Sequence, residues 1–167
     1  MKKVTLLALV LLPVLTFSTS DNINNNIRTY KQNGVIMDDT IPKVTGIGGI
    51  FFYSDNPKET KEWYIKNLGI EINDWGSSSF ESRKIDNPDE INSLQWKPFK
   101  TGDEYFSPSK KDFMINYQVQ NLEGLVNKLK ENGVAILDSI VSYDFGKFIH
   151  IMDAEGNKIE LWEPKIR

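Results

Sequence analysis

Residues 153–164 read DAEGNKIELWEP, a turn followed by a strand, and this stretch decides the fold. Its first five residues combine Asp, Gly and Asn, the residue types that favour tight turns. In the strand that follows, Glu160 and Trp162 share one face while Ile159 and Leu161 share the other, because side chains alternate along a strand. One face is therefore apolar and suited to a core, and the other carries a carboxylate and an aromatic ring.

A second strand precedes the turn, and the two strands are expected to form a hairpin. The pairing sets three couples side by side: Met152 with Lys158, His150 with Glu160, and Phe148 with Trp162. The single histidine of the chain thus lies beside Glu160, with Cβ atoms about 5 Å apart. Such a pair could hold a proton near neutral pH, supply two metal ligands, or satisfy its own hydrogen bonds.

The order of elements in this part of the chain occurs twice. Each half is predicted to contain a strand, a helix and three further strands, which indicates two copies of one unit. The helices run from Asn56 to Gly69 and from Asn121 to Gly133, because Asn caps helix N-termini and Gly favours left-handed C-terminal positions. Residues 70–72 are expected to begin the second strand of the first copy.

The two helices are each expected to bury an apolar stripe. In the first helix the buried residues are predicted to be Trp63, Tyr64 and Leu68. In the second, the apolar residues recur at offsets of three, four and seven, which is the period of a helix packed on one face. That stripe consists of Leu122, Leu125, Val126 and Leu129.

Two motifs resemble the glyoxalase/bleomycin-resistance/extradiol-dioxygenase superfamily, also called vicinal oxygen chelate (VOC). They are the NLGI of residues 67–70, which closes the first helix, and the DAEGNKIELWEP of residues 153–164. The resemblance covers residues 44–164. It implies an α+β fold in which two βαβββ modules form a half-open β-barrel around a ligand cavity.

In that superfamily the cavity often holds a divalent metal on four side chains, two near the module starts and a Glu on each last strand. The matching positions here are Gly49 and Met114 on the first strands, Gln95 or Trp96 in the first module, and Glu160 in the second. Glycine has no ligating side chain, and a thioether prefers soft metals. A divalent metal is therefore disfavoured as a cofactor, with Glu160 and His150 as its only candidate ligands.

The cavity is expected to suit a small organic molecule, because aromatic walls with a few amide and carboxylate groups are typical of such sites. Strand alternation places Phe51 and Tyr53 on the face of Gly49. The candidate catalytic residues are His150 and Glu160, and the candidate ligand-binding residues are Phe51, Tyr53, Met114, Asn116, Gln118 and Trp162. Phe51 and Phe148 are also interpreted as core, while Tyr53, Asn116 and Trp162 fit a core role and a ligand role equally well.

The composition narrows the function classes. The 167 residues carry a net charge of −3, so no basic surface for nucleic acid is expected. The absence of cysteine excludes disulfides, thiol nucleophiles and cysteine-based metal sites.

The chain starts like a secreted protein. Lys2 and Lys3 precede an uncharged apolar run that ends at Phe17, followed by small residues, which is typical of a secretory signal. The run is shorter than the roughly 20 residues that cross a bilayer, so no stable membrane insertion is expected after cleavage. The predicted product is exported to the periplasm or the extracellular space.

The predicted domain organisation has three parts. Residues 1–20 are the signal peptide, 21–42 an arm or linker, and 43–165 the VOC-like domain. Within the domain, module one spans 44–100, a linker that could act as a lid spans 101–111, and module two spans 112–164.

Three functions remain open on the sequence. The first is an exported protein that binds a small organic molecule without the usual metal site. The second is a lyase, isomerase or dioxygenase that uses Glu160 and His150. The third is a dimerising interaction module with a vestigial cavity, which would make the chain a homodimer.

Overall fold

The computed structural model describes residues 29–32, 35–38, 41–85 and 87–165. Strand β1 (Thr29–Gln32) pairs antiparallel with β2 (Val35–Asp38) in a two-stranded sheet of their own. The predicted signal peptide lies outside the described residues, as does most of the predicted arm, so both stay predictions. Among the described residues, no helix is long and apolar enough to cross a membrane.

The remaining strands form one mixed sheet with two helices, which confirms the predicted α+β class and half-open barrel. The elements are β3 (Lys43–Ser54), α1 (Pro57–Leu68), β4 (Ser78–Arg83), β5 (Ile91–Lys100), β6 (Phe113–Gln120), α2 (Leu122–Glu131), β7 (Ala135–Ile136), β8 (Val141–Tyr143), β9 (Gly146–Met152) and β10 (Lys158–Pro164). The strand order is β4-β5-β3-β6-β10-β9-β7, with β8 paired to β9.

The repeat is visible in the strand pairing. The first strands of the two modules, β3 and β6, pair antiparallel at the centre of the sheet. Each first strand also pairs parallel with the last strand of its own module, β3 with β5 and β6 with β10. The two modules therefore meet edge to edge and share one continuous sheet.

The predicted helix ends are confirmed. The side chain of Asn56 accepts a hydrogen bond from the Glu59 backbone N–H at 3.4 Å, and that of Asn121 accepts one from Gly124 at 3.0 Å. Gly69 and Gly133 follow the helices with φ of 66° and 73°, a left-handed conformation that favours glycine.

The strand predicted at residues 70–72 does not form in this described segment. The chain instead enters a turn held by Asn73, whose Oδ1 accepts hydrogen bonds from the backbone N–H groups of Trp75 and Ser77. A side chain that bonds to the backbone ahead of it favours a turn over a ladder. Module one therefore has one strand fewer than predicted.

The largest buried cluster lies under α2, as predicted for Leu122, Leu125 and Val126, with Leu129 packed at its margin. The prediction for α1 is wrong for two of its three residues. Trp63 and Leu68 are 55% and 60% exposed, and only Tyr64 packs inward, against Trp96 at 4.7 Å. Trp63 precedes Tyr64 and so points about 100° away from it around the helix, outside the face that Tyr64 turns to the sheet.

Candidate functional site

The site lies on the inner face of the sheet, which is the face opposite the helices. At the centre of this face, a row of paired residues crosses four strands. Gly49 on β3 pairs with Asn116 on β6, Asn116 pairs with Glu160 on β10, and Glu160 pairs with His150 on β9. The hairpin register predicted from the sequence is the one observed.

Three side chains form a hydrogen-bonded line through this row. Asp138 Oδ2 lies 2.6 Å from His150 Nδ1, and its Oδ1 accepts the His150 backbone N–H at 2.8 Å. The other ring nitrogen, Nε2, lies 3.1 Å from Glu160 Oε2. The imidazole is thus fixed at both nitrogens by carboxylates. We call this line, Asp138–His150–Glu160, the relay.

Glu160 is the buried end of the relay and is 4% exposed. Its Oε1 accepts a hydrogen bond from Asn116 Nδ2 at 2.6 Å, and its Oε2 accepts one from the Tyr105 hydroxyl. Burial raises the pKa of a carboxyl, but the hydrogen bonds from His150, Tyr105 and Asn116 outweigh it, so the pKa of Glu160 is lowered. Glu160 is therefore a carboxylate at neutral pH.

The pKa values of three neighbours of Glu160 are shifted as well. Burial lowers the pKa of His150, but its hydrogen bonds to Glu160 and Asp138 raise it more, and the net pKa lies above the ordinary 6.5. Burial next to the Glu160 charge raises the pKa of Tyr105, which stays a neutral donor. Burial lowers the pKa of Lys158, against the attraction of Asp138 and Glu160.

The linker between the modules covers one half of the inner face. Its single 3-10 turn, Glu104–Phe106, inserts two rings. Phe106 is completely buried and stacks on Tyr53 at 4.4 Å, beside Phe51 and Met114. Three of the predicted ligand-binding residues, Phe51, Tyr53 and Met114, thus contact the chain's own linker.

The other half of the face carries the remaining predicted residues. Gln118 is buried, and the Trp162 ring lies parallel to that of Phe148, with centroids 5.8 Å apart. Phe148 and Trp162 are both only half-buried, and a Cβ at Gly46, which pairs with Gln118, would meet no atom within 4 Å. This half is therefore the open side of the face.

One polar atom between the two halves is unsatisfied. Asn116 Oδ1 is buried and has no hydrogen-bond partner among the described residues. Its amide cannot rotate to correct this, because Asn116 Nδ2 already donates to Glu160. A buried acceptor without a donor costs about 1–3 kcal/mol, so it calls for an explanation in terms of function.

Two clefts open on the outer surface. One lies beside α1, is lined by Glu59, Thr60, Trp63 and Tyr64, and has a volume of about 330 Å³. The other, of about 360 Å³, lies along β8 and β9. Neither cleft is lined by Glu160 or His150. The site is therefore identified by the relay and not by the size of a cavity.

Comparison with protein-family models gives no match, and comparison with curated proteins gives none. Solved structures do match. A variant of methylmalonyl-CoA epimerase from Streptomyces coelicolor, in complex with 2-nitronate-propionyl-CoA, has a TM-score of 0.53 at 15% identity, covering 74% of this chain and 100% of that one.

A methylmalonyl-CoA epimerase in complex with methylmalonyl-CoA and NH4+ has a TM-score of 0.52 at 14% identity, covering 73% and 96%. The chain has the VOC fold. A glyoxalase/bleomycin resistance/dioxygenase superfamily member from Vibrio splendidus 12B01 also aligns, with a TM-score of 0.47 at 12% identity, covering 70% and 97%.

The four ligand positions that the VOC resemblance implies do not fit a divalent metal here. Gly49 offers no donor, Met114 is completely buried in an apolar cluster, and Gln95 is engaged with Ser79 and Ser93. Both oxygens of Glu160 are already hydrogen-bonded. Within the described residues, no three His, Cys, Asp or Glu side chains converge on one point as a metal site requires.

Two members of this site, Asp138 and Tyr105, could not be placed from the sequence. Asp138 follows the short strand β7 (Ala135–Ile136), in a segment where no motif marks a functional carboxylate. Tyr105 belongs to the segment predicted to fold over the cavity, but no periodicity shows which of its side chains enters. Lys158 was placed on the correct face by alternation, and its Nζ donates to the Tyr105 carbonyl at 2.6 Å.

Proposed function

We propose that the inner face of this VOC-fold protein binds a small organic molecule, with Glu160 and His150 as its polar anchors and without the four-ligand metal site. The relay carries this proposal. Removing carboxylate and imidazolium charges from water is expensive, and an apolar pair of similar size is often as stable. Buried ionisable groups with shifted pKa values are therefore candidates for function.

Two further features support ligand binding. Asn116 Oδ1 is an acceptor in need of a donor, and it lies next to the anchor carboxylate. The open half of the face offers Trp162 and Phe148 as an apolar wall. A few fixed polar groups beside aromatic rings are the usual composition of small-molecule sites.

Ligand-observed NMR tests the proposal. The full-length chain is screened against small polar aromatics, organic acids and acyl-CoA esters, the last because similar structures hold them. Compounds that bind are measured again on Glu160→Gln, on His150→Asn, and on the matched control Glu155→Gln in the exposed turn. We expect at least about a tenfold loss of affinity in the first two, which is the size of a charge-assisted hydrogen bond, and none in the control. Equal affinity in all four proteins would contradict the proposal.

A second candidate function is metal-free proton transfer, as in a lyase or isomerase. The observation that favours it is the relay, in which Asp138 orients the His150 ring and Nε2 faces Glu160. Because both ring nitrogens are engaged, a proton would pass between a ligand and Glu160, with His150 as the partner of that carboxylate. The test uses the compounds that bind. Their carbon-bound hydrogens are followed by NMR in D2O, and exchange that His150→Asn abolishes supports catalysis. Binding without hydrogen exchange would show that the protein binds these compounds but does not catalyse proton transfer.

We also propose that the chain is exported. The support is the sequence of residues 1–20, with two lysines, an apolar run and small residues in that order. Mass spectrometry of protein recovered from a bacterial periplasm is expected to show an N-terminus near Asp21. A cytoplasmic product that begins at Met1 would contradict export.

A further inference from the structure

We propose that Tyr105 occupies the ligand position of the inner face, and that the face takes a neutral hydroxyaromatic molecule in competition with this side chain. The inference rests on the proposed function and names the ligand class of the same site.

The phenol ring of Tyr105 is held from several sides. It stacks on Phe99 with centroids 5.1 Å apart and planes 7° apart, and the edge of His150 meets it at 5.6 Å and 90°. Lys158 Nζ lies 5.3 Å from the ring centroid. Stacking, edge contact and a nearby cation are the three favourable ways to hold an aromatic ring.

The hydroxyl of Tyr105 donates a hydrogen bond to the buried Glu160 carboxylate. A neutral O–H donor suits this carboxylate, because charge-assisted hydrogen bonds are strong when desolvated. A carboxylated ligand in the same position would place two like charges together. The position therefore selects a planar ring with a hydroxyl group and no negative charge.

The turn that carries Tyr105 can stay in place when its ring leaves. The next residue, Phe106, is completely buried against Tyr53 and Phe99 and anchors the turn, whereas Tyr105 is only half-buried. Rotation of the Tyr105 side chain toward solvent would open a space bounded by Phe99, His150 and Glu160. A free phenol that enters it would recover the same contacts.

Because a ligand competes with the Tyr105 ring, its apparent affinity depends on the fraction of molecules in which that ring has left the position. If the open state is populated at about 1–10%, a free ligand binds the natural protein about ten- to a hundredfold more weakly than a protein without the ring. Titration calorimetry with 4-methylphenol, the side chain of tyrosine as a free molecule, measures this. The proteins are the full-length chain, Tyr105→Ala, Tyr105→Phe, and the control Trp75→Ala, which removes an aromatic ring that is 83% exposed and lies outside the site.

We expect saturable binding to the natural chain and to Trp75→Ala with equal affinity. Binding to Tyr105→Ala is expected to be at least tenfold tighter, and Tyr105→Phe, which keeps the ring but lacks its hydrogen bond, is expected to lie between. Toluene, which lacks the hydroxyl, is expected to bind Tyr105→Ala at least tenfold more weakly than 4-methylphenol. The conservative Tyr105→Phe keeps the test valid if Tyr105→Ala does not fold.

Four results would overturn the inference. Binding to Tyr105→Ala with none to the natural chain would mean that the substitution merely created a hole. Equal affinity for the natural chain, Tyr105→Phe and Tyr105→Ala would place the compound elsewhere. If a compound without a hydroxyaromatic ring binds in a Glu160-dependent way while 4-methylphenol does not, the proposed function stands and this inference fails. If nothing binds in a Glu160-dependent way, both fail.

Discussion

At the scale of single residues, the relay joins two groups whose pKa values move apart. The pKa of His150 rises above 6.5 because Glu160 and Asp138 stabilise its charged form. The pKa of Glu160 falls below 4.5 because three donors stabilise its carboxylate. The pair therefore stays charged on both sides over a wider pH range than the two free side chains would.

This arrangement predicts how folding stability depends on pH. The raised pKa of His150 means that its contribution to folding stability is complete below about pH 6.5, the ordinary histidine pKa. That contribution is lost as the pH rises through the folded-state pKa. A lowered glutamate pKa stabilises the fold fully above about 4.5 and the effect is lost as pH falls through the folded-state pKa. The relay is expected to contribute most between about pH 4.5 and 6.5. Urea unfolding across pH measures this.

The control for that experiment is His150→Asn. Because the chain has one histidine, this variant removes all histidine titration, and its stability is expected to lose the decline above pH 6.5. A natural chain whose stability rises between pH 6.5 and 8 would contradict the assignment.

The pairing of His150 with Glu160 could be predicted from the sequence because both residues lie on regular strands joined by a short turn. Alternation and turn length then fix which side chains meet. Asp138 and Tyr105 could not be placed in this way. Both lie in irregular segments, between β7 and β8 and in the linker, where the path of the chain depends on packing that no local pattern encodes.

At the scale of elements, strand β3 is shaped by its glycines. A Cβ at Gly48 would lie 2.1 Å from Asn116 Oδ1 and 2.9 Å from a Trp162 ring atom. Asn116 is fixed by its bond to Glu160 and cannot retreat cheaply. Gly48→Ala is therefore expected to lower the free energy of unfolding by about 1–3 kcal/mol, as overpacking does.

Gly46 in the same strand is the matched control, because a Cβ there meets no atom within 4 Å. Gly46→Ala is expected to be neutral or slightly stabilising, since it restricts the unfolded chain. Chemical denaturation of both variants checks the pair, and equal effects would contradict the close packing of Asn116 on Gly48.

The two helices both carry apolar residues but differ in how deeply these residues are buried. Leu122 on α2 is completely buried, whereas Leu68 on α1 is 60% exposed. Leu122→Ala is expected to lower the free energy of unfolding by about 2–5 kcal/mol. Leu68→Ala is expected to change it by less than about 0.5 kcal/mol, as at other surface positions. A large loss in Leu68→Ala, measured by thermal unfolding, would show that this face is covered.

At the scale of the whole molecule, the repeat could be predicted because caps, terminal glycines and apolar stripes recur in the same order. The missing strand of module one could not be predicted, because residues 70–72 alternate like a strand. The turn that replaces the strand depends on the side chain of Asn73. Dimerisation stays a prediction. The outer face of module one exposes Trp63, Ile47 and Ile50, and nothing in the described structure shows what covers it.

The side chains at the four ligand positions predict the metal content of the purified protein. With Gly49 and Met114 at two of the four ligand positions, Fe, Mn, Ni and Zn are expected at far below one ion per chain by elemental analysis. A stoichiometric metal that is lost in both His150→Ala and Glu160→Ala would contradict the metal-free site.

Small molecules are expected to bind at the relay, and the imidazole of His150 reports on this binding directly. As the only histidine, it gives one set of ring signals in a tag-free protein and needs no assignment. We expect compounds that bind to shift the His150 Nε2 signal in the natural chain and to lose that effect in Glu160→Gln. Saturable binding that leaves the imidazole signal unchanged would place the ligand elsewhere and contradict the account.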